Sequence, residues 1–128
     1  MTKTSFAIIC FFTLAISLSA QNYPSISIQE LQKTMADGKV VIIDVNGPQS
    51  YARGHIPTAI DFSSAKKNLT KILPKDKKTL IVSYCGGPGC RAFKHGADAA
   101  AKLGFTNIRY LPAGISGWKR SGAAISKN

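Results

Sequence analysis

Two uninterrupted apolar runs set the strongest limit on what this chain can fold into. Val40-Val41-Ile42-Ile43 and Leu80-Ile81-Val82 carry apolar side chains at successive positions, whereas a strand with one wet face alternates apolar with polar residues. Strands of that kind are buried on both faces, as the central strands of parallel sheets are. Parallel strands need crossovers, and segments with helical signals stand between the runs. The expected fold class is therefore α/β, a parallel sheet of about five short strands with helices on both faces.

The remaining elements follow from local signals. Ser27-Ile28-Gln29-Glu30 has the form of a capping box, which starts a helix that Asp37-Gly38 stops after Ala36. The first buried run ends in Asp44; Pro48 to Arg53 forms a short helix, and Gly54-His55-Ile56-Pro57 a tight loop. A strand is expected over 59–62, and then a helix capped by Ser63 or Ser64 that runs to Ile72. The second buried strand covers 79–84, with a helix over 91–103, a strand over 107–110 and a last helix over 114–121. Residues 125–128 read as a frayed tail.

At 128 residues the chain has room for one domain. In residues 1–20 Lys3 is the only charge, and an apolar run from Ser5 to Leu18 precedes the small residues Ser19 and Ala20. This pattern predicts a signal peptide over 1–20 and a mature domain over 21–128, exported to a periplasm or the exterior, with no membrane insertion after cleavage. Cys10 leaves with the leader, so Cys85 and Cys90 remain, and oxidising surroundings allow them to pair. The net charge is +11, of which Lys3 supplies one unit. Lys66, Lys67, Lys71, Lys75, Lys77 and Lys78 are read as a solvated face; no aromatic residues interleave with them, and nucleic acid is not an expected partner.

Chemistry concentrates where the second buried strand ends. Cys85 is followed by Gly86-Gly87-Pro88-Gly89-Cys90-Arg91 and then by an Ala-rich helical segment. Glycines let a backbone turn its N–H groups toward an anion, and a helix N-terminus adds positive potential. A thiol with a pKa of about 8.5 is only roughly three per cent thiolate at neutral pH; a downward shift of about two units makes it mostly thiolate. Cys85 is thus the expected nucleophile, and residues 86–91 the anion-binding loop, with Arg91 as a side-chain ligand. Cys90 has three readings: a resolving thiol, the partner of Cys85 in a disulfide, or a plain loop residue. No metal or cofactor is called for.

Three blocks in order carry a family resemblance. They are Ile43-Asp44-Val45 with Tyr51-Ala52-Arg53-Gly54-His55-Ile56-Pro57-Thr58-Ala59; the strand ending in Tyr84-Cys85; and Leu103-Gly104-Phe105 with Gly114-Ile115-Ser116-Gly117-Trp118 and Gly122. Over about residues 25–122 the chain resembles the single-domain rhodanese-like sulfurtransferases, in particular an exported subgroup. The resemblance implies that Cys85 takes up a sulfane sulfur as a persulfide from a small sulfur-containing anion such as thiosulfate. It also implies that the persulfide then passes to a thiophilic acceptor; a monomer is expected. The sequence departs from the commonest pattern at three places: Arg91 stands six positions after Cys85 rather than five, Thr58 replaces a usual Gly, and Asn46 stands where Arg commonly follows Asp-Val. The longer spacing is that of C-x5-R phosphatases, which leaves a phosphatase-like activity as one alternative. A sulfur carrier or redox-responsive module without turnover is another.

Overall fold

The structure is a computed structural model that describes residues 22–128. The expected leader and Cys10 lie outside them. Four parallel strands form one sheet: β1 (Val40–Asp44), β2 (Ile60–Asp61), β3 (Leu80–Tyr84) and β4 (Ile108–Tyr110), in the order β2-β1-β3-β4. The sheet has four strands where about five were expected. The chain folds back on both sides of the β1/β3 pair, so the topology switches direction there, and the crevice at the carboxyl end of that pair is where such sheets bind ligands. Asp44 and Tyr84 are register partners at that end.

The two buried runs divide their side chains between the faces as a period of two requires. Ile42, Val82 and Tyr84 join Ile26, Leu31, Ile56, Leu111, Ile115 and Trp118 on one side. Ile43 and Ile81 join Ala65, Leu69, Leu73, Ala97, Ala100, Phe105 and Ile108 on the other. The first face is covered by α1 (Ile28–Ala36) and α6 (Gly114–Arg120), the second by α3 (Phe62–Ala65), α4 (Leu69–Ile72) and α5 (Phe93–Lys102). Ser27 caps α1 by accepting the Glu30 N–H at 3.1 Å, and α2 (Pro48–Arg53) opens with its proline at the first turn.

Three local expectations are corrected. The helix expected from Ser63 to Ile72 is two four-residue turns, separated at 66–68. Asp61, not a serine, caps the first turn: its carboxylate accepts the Ser63 N–H at 3.1 Å and the Ser64 hydroxyl at 2.7 Å, which shortens β2 to two residues. The tail is docked rather than frayed, because His55 and Ser126 exchange backbone hydrogen bonds of 3.0 and 2.9 Å. Trp118 anchors the same segment by donating its Nε1–H to the Ala124 carbonyl at 2.8 Å. Among the described residues no helix is long and apolar enough to cross a membrane.

Candidate active site

Cys85 is the first residue beyond β3, and its surroundings are set from three directions. Below it, Tyr84 is fully buried and donates its hydroxyl to Asp44 Oδ2 at 2.5 Å while accepting the Ile56 N–H at 3.1 Å. Burial, and then the Asp44 carboxylate, push the Tyr84 phenol well above the ordinary tyrosine range, so it stays a neutral donor. Asp44 Oδ1 accepts the Asn46 N–H at 2.8 Å, which fixes the turn after β1 beside the loop after β3. Asp44 thus braces the neighbouring loop and does not reach into it.

Behind the loop stands the start of α6. The Cys85 and Gly86 carbonyls accept the N–H groups of Ile115 and Ser116, each at 2.9 Å. Gly114 makes this approach possible. It sits at φ +59°, and a Cβ there would lie 2.5 Å from Gly87 N, 2.6 Å from Gly86 C and 2.7 Å from Cys85 O. With its carbonyls held by α6, the loop leaves the N–H groups of Gly86, Gly87, Gly89 and Arg91 without acceptors among the described residues.

On the far side the loop returns through a Pro-Gly turn. The Cys90 N–H donates to the Gly87 carbonyl at 3.1 Å across Pro88 and Gly89, the latter at φ +82°, as in a type II turn. The turn brings the Cα atoms of Cys85 and Cys90 to 6.4 Å, and their sulfurs are joined in a disulfide. Cys85 is buried at 3 % exposure; Cys90 is half-buried. The helix expected from Arg91 begins at Phe93, because the Lys94 and His95 N–H groups first form tighter bonds to the Arg91 and Ala92 carbonyls at 3.1 and 3.0 Å. Ser83 hooks that helix to the sheet by donating its hydroxyl to the Phe93 carbonyl at 2.7 Å.

The other singled-out residues fall into supporting places. His55 is buried, its Nδ1 lies 2.7 Å from the Tyr51 carbonyl, and its ring stacks on Tyr51 at 3.6 Å between centroids. Arg91 and His95 are exposed. The lysine run ends at the amino end of β3, the opposite end of that strand from Cys85. Sequence reasoning gave no site role to Gly114, Ile115 and Ser116. It gave none to Asn46 either, whose buried Nδ2 has no partner among the described residues and whose Oδ1 lies 3.9 Å from where a Gly86 Cβ would stand. That pairing joins loops 40 residues apart in the chain, and no local signal announces it.

A thiol-bearing loop at the switch point of a small parallel α/β sheet, backed by the next helix, defines a class of active-site-loop domains. The family model for the Rhodanese-like domain matches residues 27–121, and the chain belongs to that family. A Bacillus halodurans protein of known structure is 26% identical, with 81% of this chain and 77% of that one covered at a TM-score of 0.63. A human single-domain sulfurtransferase is 24% identical over 77% of this chain and 97% of its own, at a TM-score of 0.60. A thiosulfate sulfurtransferase from Pseudomonas aeruginosa shares the fold at a TM-score of 0.68 with 18% identity, over 84% of this chain but only 20% of its own.

Proposed function

We propose that this protein is an exported sulfurtransferase that moves a sulfane sulfur through a persulfide on Cys85. The observation that carries the reading is the loop itself: Cys85 follows the central strand β3, and four backbone N–H groups of the loop it opens have no acceptor among the described residues. Fixed donors of this kind stabilise charge as it develops. The Asn46 side chain beside Gly86 supports the reading, since its buried Nδ2 has no partner among the described residues and an unpaired buried donor calls for a role.

The reaction starts from the reduced loop. The Cys85 thiolate attacks the outer sulfur of thiosulfate, the S–S bond of the donor breaks, and sulfite leaves with the bonding pair. The Cys85 persulfide carries the negative charge, and the loop N–H groups hold it until a thiophile such as cyanide or a thiolate takes the terminal sulfur and restores the thiolate. Reduced protein incubated with thiosulfate gains one sulfur atom by intact mass, and Cys85→Ala does not. Absence of that gain in folded, reduced protein overturns the proposal.

The disulfide supports a second reading, a redox-responsive module that carries sulfur only when reduced. It predicts the same persulfide after reduction but little turnover with an excess of cyanide.

A further inference from the structure

The two sulfurs of the Cys85–Cys90 disulfide face different surroundings, and the difference sets where a reductant enters. Cys90 lines a groove of about 440 Å³ together with Arg91, Phe93, Lys94, Tyr110 and Tyr23, and Cys85 does not reach it. The groove has the size of a small-molecule site. Its floor is aromatic: Phe93 and Tyr110 stack with centroids 4.1 Å apart and planes within 10°. Its rim is cationic, since neither Arg91 nor Lys94 enters an ion pair among the described residues. Asp98, one turn beyond Lys94, accepts the Tyr23 hydroxyl at 2.5 Å.

We infer that this groove binds a small anionic thiol and that the thiol reduces the protein by attack on the Cys90 sulfur. The inference stands whether or not Cys85 goes on to accept sulfur. Thiol–disulfide exchange needs an in-line approach to the attacked sulfur, and it runs faster when the departing sulfur is the better leaving group. Cys90 offers the approach, because it is half-buried and lines the groove while Cys85 is buried and does not. Cys85 is the better leaving group, because the loop it opens carries N–H groups without acceptors that can take up the charge it acquires.

The steps balance with two equivalents of thiol. The first thiolate forms a bond to the Cys90 sulfur, the Cys85–Cys90 bond breaks, and Cys85 departs as thiolate with the bonding pair. A second thiolate attacks the sulfur of the bound thiol, releases the external disulfide and leaves Cys90 as thiolate. Two external thiols are oxidised and one protein disulfide is reduced. The anionic tail of the entering thiol lies against Arg91 and Lys94, and its carbon chain against the aromatic floor.

The test compares 2-mercaptoethanesulfonate, 2-mercaptoethanol and cysteamine as reductants of the oxidised protein, with rates expressed per thiolate. The anionic probe is expected to exceed the cationic one by roughly tenfold at low salt, and the margin shrinks as salt rises. Arg91→Gln with Lys94→Gln brings the ratio close to one and leaves the neutral probe within about twofold; Lys94→Glu turns the preference toward cysteamine. Acid quenching and alkylation after limiting reaction, read by tandem mass spectrometry, place the probe on Cys90 and the alkyl group on Cys85. No charge preference in the unsubstituted protein, a preference that survives the double substitution, or a probe found on Cys85 overturns the inference.

Discussion

Gly114→Ala tests the claim that α6 shapes the loop. The residue sits at φ +59°, where an L side chain costs about 1–2 kcal/mol. The added Cβ also meets three backbone atoms of the loop at 2.5, 2.6 and 2.7 Å, none of which can swing aside as a side chain end would. Overpacking of this sort adds about 1–3 kcal/mol, so the total loss is about 2–5 kcal/mol. Gly122→Ala is the control, since Gly122 shares a positive φ of 79° but has nothing within 4 Å, and it should lose only about 1–2 kcal/mol. Urea unfolding of the oxidised proteins separates the two, with a midpoint shift of about 1–3 M for Gly114→Ala at the usual slope for a small domain. The same substitution pushes the loop away from the Ile115 and Ser116 N–H groups. On reduced protein it should slow persulfide formation by on the order of a hundredfold, while Gly122→Ala leaves the rate unchanged. If Gly114→Ala is no less stable than Gly122→Ala and accepts sulfur at the unsubstituted rate, the buttress argument is wrong.

Two further predictions rest on single side chains. Thr58, exposed at φ +72°, is the one positive-φ residue other than glycine among the described residues, so Thr58→Gly should raise stability by about 0.5–1 kcal/mol in urea unfolding. Tyr84 has its folded-state pKa raised above the unfolded value of about 10, so the stability it contributes is fully present below pH ~10 and is lost above it by about 1.4 kcal/mol per pH unit. Tyr84→Phe should flatten that alkaline fall. At neutral pH it should cost about 1–3 kcal/mol, because Asp44 loses a donor and the Ile56 N–H an acceptor. Urea midpoints measured across neutral and alkaline pH check both effects, and an unchanged alkaline slope contradicts the second.

Much of the fold was legible because its signals are local. The capping box at Ser27, the buried runs of β1 and β3, and the proline that opens α2 each act within a few residues, and those elements form where they were expected. The misread segment, 59–72, turned on a competition that a residue scan does not resolve. Asp61 suits either the end of a strand or a helix cap, and its two side-chain hydrogen bonds decide for the cap. The tail was misread for a different reason. Ser126 is polar and lies near the chain end, and only its pairing with His55, 71 residues earlier, holds it in place.

The loop was legible as an activated-thiol site, but its sidedness was not. Spacing put two thiols and an arginine close together in the chain without saying which of them shares a surface. The Pro88-Gly89 turn answers that, because it folds Cys90 back onto Cys85 and lets the chain leave in the other direction through Arg91. Arg91 then lines a groove with Cys90, Lys94 and Tyr110 that Cys85 does not border. The residue that lengthens the Cys-to-Arg spacing therefore has a consequence beyond a larger loop. It sets a buried Cys85 on one side of the disulfide and a half-buried Cys90 among cationic side chains on the other. A donor anion and a reducing thiol are both negatively charged, and on one shared surface they would compete. Divided across the disulfide they meet different sulfurs, so substitutions at Arg91 and Lys94 should alter the rate of reduction by anionic thiols more than the rate at which reduced Cys85 takes up sulfur.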